Sequence, residues 1–218
     1  SREDDALVAR ATFEATPSAQ LAVEDRWQAV LDGFCVHRTV IVHGEGRLGF
    51  ASSLCFDVHG EWDWHDLDLF IPGMLYGMRQ TIARAAIGGK VHDRAGVNAI
   101  RVREDRIAAP LHGLYFRDGR SVTLSNLQPD GRTVARDSFD IEVGPPLIDE
   151  RLKFGAFGSG QTENGVMLAY WFPGTEGEVT YRGDSSRAGQ VRKWRRRYHP
   201  LANGFTQSYA LRVRLGRD

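Results

Sequence analysis

FGAFGSGQTENGVMLAYWF, from Phe154 to Phe172, is the stretch whose reading decides the fold. An aromatic run enters a polar loop, turns at Asn164-Gly165 and returns along Val166-Met167-Leu168-Ala169-Tyr170-Trp171-Phe172. Asn-Gly favours the positive φ of a tight hairpin turn, so the two halves read as antiparallel strands. The return run is too apolar for a strand with one wet face. It is expected to lie centrally, with both faces covered.

Working outward, the same pattern recurs. Leu114-Tyr115-Phe116 leads into Asp118-Gly119 and out through Val122-Thr123-Leu124. Asp32-Gly33, Asp130-Gly131 and Asn203-Gly204 are further turn signals. Alternating runs occur at Arg38–Val42, Leu48–Val58, Ala99–Arg103, Glu178–Tyr181 and Phe205–Leu215. The last sets Phe205, Gln207, Tyr209, Leu211, Val213 and Leu215 against Thr206, Ser208, Arg212 and Arg214, with Gln207 and Ala210 as the exceptions to a clean period of two. Ser18–Leu31 can be drawn as a capped helix, but the Asp-Gly after it suits a hairpin, and a strand is the preferred reading. Met74–Ile87 has better helical composition, with Gly88-Gly89 as a stop, and a helix there is an even choice. Short strands between turns predict an all-β fold, an antiparallel β-sandwich with at most one or two short helices.

The chain has 218 residues and no internal repeat or low-complexity linker, so residues 1–218 are read as one domain. Twenty-eight basic residues balance 28 acidic ones, which gives no electrostatic ground for nucleic-acid or anionic-membrane binding. Cys35 and Cys55 are the only cysteines; they could pair, but they form no metal-binding spacing. No apolar run reaches the roughly 20 residues of a membrane span, and no signal-peptide pattern is present, so a soluble, cytoplasmic protein is expected. The chain starts at Ser1, and its last good strand meets the C-terminus almost at once. The first suits a processed or excised product; the second is tolerable for a complete domain and also suits the first domain of a longer protein.

Glu61 to Tyr76, EWDWHDLDLFIPGMLY, carries the strongest functional signal. An aromatic ring can stack on the C–H face of a pyranose while a carboxylate accepts hydrogen bonds from neighbouring hydroxyls. Trp62, Trp64, His65, Asp66, Asp68 and Tyr76 are therefore the candidate carbohydrate-binding residues. The competing reading packs the tryptophans inward and leaves the acids solvated. Asp66 and Asp68 share a face if the segment is extended, which would suit paired acid–base work. His59, His65 and Asp66 match no standard metal spacing, and neither metal nor cofactor is expected. Gly158-Ser159-Gly160 lacks the strand–elbow–helix setting of a serine hydrolase, and no phosphate loop or dinucleotide fingerprint is present. In Lys193–His199, alternation puts Trp194, Arg196 and Tyr198 on one face. The arginines there either guard an edge or clasp a uronate, and the structural use is preferred. Arg103 and Arg106 in Val102–Arg106 are expected to pair with neighbouring acids across a loop.

Several strings in order, FIPGMLYG (Phe70–Gly77), VREDRIAAPL (Val102–Leu111), IDERLKFGAFG (Ile148–Gly158), YWFPGTEGEVTY (Tyr170–Tyr181) and KWRRRYHPLANGFTQSY (Lys193–Tyr209), resemble a known family. It is the N-terminal β-sandwich region of bacterial six-hairpin glycosidase-like proteins, and the resemblance spans about residues 40–215. The resemblance implies a large sandwich of the galactose-mutarotase-like, or super-sandwich, type. It also implies that a downstream (α/α)6 barrel carries the catalytic carboxylates, while the sandwich packs on it and borders the substrate cleft. On that basis the chain is expected to be an accessory domain of a carbohydrate-active enzyme, with no catalytic residues of its own. The alternatives are a self-sufficient glycosidase or polysaccharide lyase, and a structural or interaction sandwich without a sugar site.

Overall fold

A strand that alternates apolar and polar side chains must cover one face, and this chain satisfies that demand by stacking sheets. The computed structural model describes residues 2–3, 5–64, 67–73, 99–129, 145–175 and 195–217. The strands are β1 (Arg2–Glu3), β2 (Ala6–Thr16), β3 (Ala19–Val30), β4 (Gly33–Gly44), β5 (Gly49–Phe50), β6 (Ser52–His59), β7 (Asp68–Phe70) and β8 (Ala99–Arg103). They continue with β9 (Leu111–Tyr115), β10 (Arg120–Asn126), β11 (Leu147–Ile148), β12 (Ala156–Thr162), β13 (Gly165–Phe172), β14 (Arg197–Pro200) and β15 (Thr206–Arg217). A 3-10 turn, Glu104–Arg106, follows β8. The fold is an all-β sandwich. One sheet has eight strands in the order β1-β2-β3-β4-β15-β10-β9-β7, and a second has four in the order β6-β13-β12-β8. A small third sheet, β11-β14-β5, contains the parallel pair β11–β14.

The hairpin that decided the fold forms as read. β12 and β13 pair from Ala156↔Trp171 to Thr162↔Gly165, and β13 lies between β12 and β6. Gly165 sits at φ 145°, and a Cβ there would lie 2.2 Å from the Val58 carbonyl oxygen, so the turn requires glycine. Val166, Leu168, Tyr170 and Phe172 point between the sheets, where they meet Val36, Leu114, Leu124, Leu211 and Val213 of the large sheet. The opposite face is only part-covered. Ala169 is buried, but Met167 and Trp171 are half-buried, with the Arg101 guanidinium 3.8 Å from the Trp171 ring.

Other expectations are modified by which sheet a strand joins. The Leu48–Val58 run is two strands, because at Ala51 the chain passes from the small sheet, where β5 pairs with β14, to the four-stranded sheet, where β6 pairs with β13. Ser18–Leu31 contains β3, which pairs with β2 and β4. Gln207, Tyr209, Leu211 and Val213 are buried along β15, whereas Leu215 near its end is 57% exposed. Cys35 and Cys55 are free thiols. Met74–Ile87, Glu178–Tyr181, Asp130-Gly131 and Trp194 lie outside the described residues. No helix among the described residues is long and apolar enough to cross a membrane.

Candidate functional site

The tryptophan–carboxylate segment is fastened over the end of the β12–β13 hairpin by one side chain. Gln161 donates from Nε2 to the carbonyls of Trp62 and Gly165, each at 2.8 Å, and its Oε1 accepts from the Trp64 backbone N–H at 2.6 Å. That clasp drives Trp64 into the core, where it is fully enclosed and has no ring face left for a sugar. Trp62 is half-buried. Its ring lies 4.7 Å from Phe116 and 4.8 Å from the Arg120 guanidinium, and it packs so closely on Gly60 that a Cβ there would fall 2.3 Å from the indole nitrogen. Asp68 stands half-buried on β7, opposite Tyr115. His65, Asp66 and Tyr76 lie outside the described residues. Among the candidates that are described, Trp64 is therefore a core residue, and Trp62 is held between its neighbours.

Trp64 also completes a buried polar group that the sequence reading did not identify. Its indole N–H donates to Ser159 Oγ at 3.1 Å, so the serine must send its own proton elsewhere; His112 Nε2 lies 2.9 Å away and accepts it. This fixes the His112 tautomer, leaving Nδ1–H to donate to the Phe70 carbonyl at 3.2 Å. Burial pushes the His112 pKa down to about 4, against a smaller upward pull from that carbonyl. A serine hydroxyl on a histidine nitrogen has the spacing of a nucleophile–base pair. Here both residues are enclosed, at 1% and 0% exposure, and the indole occupies the serine oxygen. The trio is a satisfied knot between the two sheets.

A second buried network lies near an open cleft of about 340 Å³. Its floor includes Asn126, Phe172, His199, Gln207 and Tyr209, all buried. Gln207 Nε2 donates to the Phe172 carbonyl at 3.0 Å and to His199 Nδ1 at 2.8 Å, and His199 Nε2–H donates to the Leu152 carbonyl at 2.9 Å. The Ser52 hydroxyl bonds Gln207 Oε1 and reaches the Tyr209 hydroxyl at 3.2 Å. Burial lowers the His199 pKa, so the ring is neutral and both nitrogens are committed. On the far side, Asn126 Nδ2 donates to Glu104 Oε1 at 2.8 Å. Glu104 Oε2 accepts from Tyr170 and Gly155, each at 2.9 Å. Burial raises the Glu104 pKa, and those donors oppose the rise.

The rim differs from the floor. Glu150, Lys153, Gln128, Thr206 and Ser208 line it and are exposed, and the Phe205 ring is half-buried beside His199 at 5.1 Å. A partly open ring, an acid, a base and several hydroxyl or amide groups around a rigid floor can hold a small polar ligand. In the basic run, alternation holds along β14: Arg197 and His199 are buried, while Tyr198 and Pro200 are half-buried. The Arg197 and Arg103 guanidinium groups lie 5.8 and 4.8 Å from the Phe154 ring centroid. Arg103 also forks onto the Asp105 carboxylate, the pairing expected across that loop. Among the described residues no group of three or more His, Cys, Asp or Glu side chains is placed to hold a metal ion.

The floor could have been found from one signal. Gln207 is a polar residue on the apolar face of a period-two strand, and such a residue must find buried partners. His112 and His199 sit inside short apolar or basic runs that give no comparable cue.

No family model matches the chain, and no curated protein matches it. Among solved structures, the Slr1438 protein from Synechocystis sp. PCC 6803 has a loosely similar trace, with 10% sequence identity and a TM-score of 0.47. The match covers 100% of this chain, which spans 65% of that protein's length. A likeness this loose says nothing of function.

Proposed function

We propose that this sandwich is an accessory domain of a glycoside hydrolase-like carbohydrate-active enzyme. In this reading it packs on a downstream (α/α)6 barrel and borders the substrate cleft. Its sugar-facing surface is the opening between Glu150–Lys153 and Phe205–Ser208, not the Trp62–Trp64 segment. The observation that carries the reading is the convergence of three of the strings behind the family resemblance on that opening. Ile148–Gly158 supplies Glu150 and Lys153, Tyr170–Tyr181 supplies Phe172, and Lys193–Tyr209 supplies His199 and Phe205–Tyr209. Among the described residues lining it, Glu150 is the one carboxylate, whereas glycoside hydrolysis generally uses two. This favours an accessory role over self-sufficient catalysis.

An open cleft of this kind buries only part of a sugar, so binding by this chain alone should be weak, with Kd no tighter than about 0.1 mM. The test is an NMR titration with neutral and uronate-containing oligosaccharides. Shifts should concentrate at residues 150–153 and 205–208 and disappear in Glu150→Ala/Lys153→Ala. Shifts confined elsewhere, or micromolar binding that survives the double substitution, would remove this cleft from consideration.

A further inference from the structure

The eight-stranded sheet ends in an edge that nothing described covers. β1 pairs only with Ala6 and Leu7 at the start of β2, and no described strand pairs with the outer edge of β2 from Ala9 to Thr16. Residues 9–15 are all exposed, including Phe13 at 56%. Natural edges of this length are usually guarded by lysine, proline or inward charge, and Ala6–Thr16 contains no lysine or proline.

We propose that this edge pairs with a second copy of the chain, the two β2 strands running antiparallel about a twofold axis through Thr12. The charges select that register. In a symmetric antiparallel pair centred on residue c, residue i faces residue 2c − i of the other copy. A centre at Arg10 sets arginine against arginine, and a centre at Glu14 sets glutamate against glutamate. Centres at Ala11 and Phe13 leave Arg10 opposite a threonine. Only Thr12 sets Arg10 of each copy opposite Glu14 of the other, twice over.

Both faces of the sheet then continue across the axis. On one face Thr39 lies beside Glu24, and Glu24 beside Arg10 with an ion pair of 2.7 Å. Glu14 of the second copy extends that row with alternating sign. On the other face Val42, Leu21 and Phe13 are cross-strand neighbours, as are Val40, Val23 and Ala11. In the proposed register Phe13 of each copy lies opposite Ala11 of the other, a large side chain against a small one. Each apolar row of one copy thus continues into the other row of its mate, so that two rows run over both copies, extending the small core around Val40, Val42 and Phe50. The register irregularity between Glu14 and Thr16 marks where the shared ladder ends.

Sedimentation velocity on the chain tests this. The wild type should dimerise reversibly at concentrations on the order of 0.1 mM or below. Glu14→Arg converts both opposite-charge pairs into like-charge pairs, and Thr12→Lys places two cations at the axis; each should weaken the dimer at least about tenfold. Arg10→Glu should do the same. An equimolar mixture of the Glu14→Arg and Arg10→Glu chains should restore the dimer, because position 10 of each copy then faces an opposite charge at position 14 of the other. Circular dichroism on every variant should give the wild-type spectrum. A monomeric wild type would assign the edge to a different partner and overturn the proposal. So would a dimer indifferent to Thr12→Lys and Glu14→Arg, or a mixture that stays monomeric.

Discussion

Acidifying this protein should destabilise it through His112. The imidazole is fully buried, with the Ser159 hydroxyl on Nε2 and the Phe70 carbonyl on Nδ1–H. Its pKa falls from 6.5 to about 4 on folding, chiefly because a charged ring would be desolvated between the sheets. A lowered histidine pKa means that the unfolded chain binds the proton more readily. Stability from this group is then fully present above pH 6.5 and is lost as pH falls towards 4. A shift of about 2.5 units at about 1.4 kcal/mol each gives a limit near 3.5 kcal/mol, of which about 3 should be gone by pH 4. Glu104 works in the opposite sense: its carboxyl pKa is raised by burial, so its contribution falls as pH rises above the ordinary carboxylate value. The two must be separated. Urea unfolding at several pH values from 4 to 7, on the wild type and on His112→Gln, does so by difference, since the amide does not titrate. The wild-type minus variant stability should shrink by about 3 kcal/mol from pH 7 to pH 4. A difference that stays flat would mean that His112 is not held neutral between the sheets.

Two further outcomes follow from packing. Leu168 is fully buried on β13, opposite Ser159 and Phe56, so Leu168→Ala should cost roughly 2–5 kcal/mol in the same unfolding assay; a cost below about 1 kcal/mol would place the strand elsewhere. Trp64→Ala should cost roughly 3–5 kcal/mol and Trp62→Ala roughly 1–3 kcal/mol, measured by thermal and urea melts. Equal, small losses at both positions would return the tryptophans to the surface.

The fold was legible because its signals are local. Asn164-Gly165 and Asp118-Gly119 dictate hairpins, and the apolar run Val166–Phe172 can only sit inside a sheet. What escaped was sheet membership, together with the whole of β2, over which no element was read. Nothing in Leu48–Val58 says that the chain changes sheets at Ala51, and nothing in Ala6–Thr16 says that this strand stands at an edge. The site was less legible for a related reason. Trp62 and Trp64 carry the composition of a sugar platform, but the partner that decides their fate, Gln161, lies almost a hundred residues away on another strand. Trp64 can be buried because Ser159 accepts its N–H, and an indole with a satisfied N–H gains more from the core than from a wet surface. An alternating strand predicts that Gln207 faces inward; it does not predict that His199 will be waiting there.

The chemistry left to the cleft follows from what its floor has already spent. His199 has both ring nitrogens in hydrogen bonds and is neutral, so it has no proton to trade near pH 7. Gln207 donates twice and accepts once, and Asn126 is tied to Glu104 and Tyr170. Such a floor is stiff because every member restrains the next, and it is inert for the same reason. The free chemistry lies on the rim, where Glu150 and Lys153 are exposed and able to turn towards a ligand. A stiff floor with an exposed charged rim can select by shape and hydrogen bonding. That division of labour is what the accessory role proposed above demands of this cleft. It also makes Glu150→Ala/Lys153→Ala the more informative substitution: the floor cannot be altered without disturbing the fold, whereas the rim can.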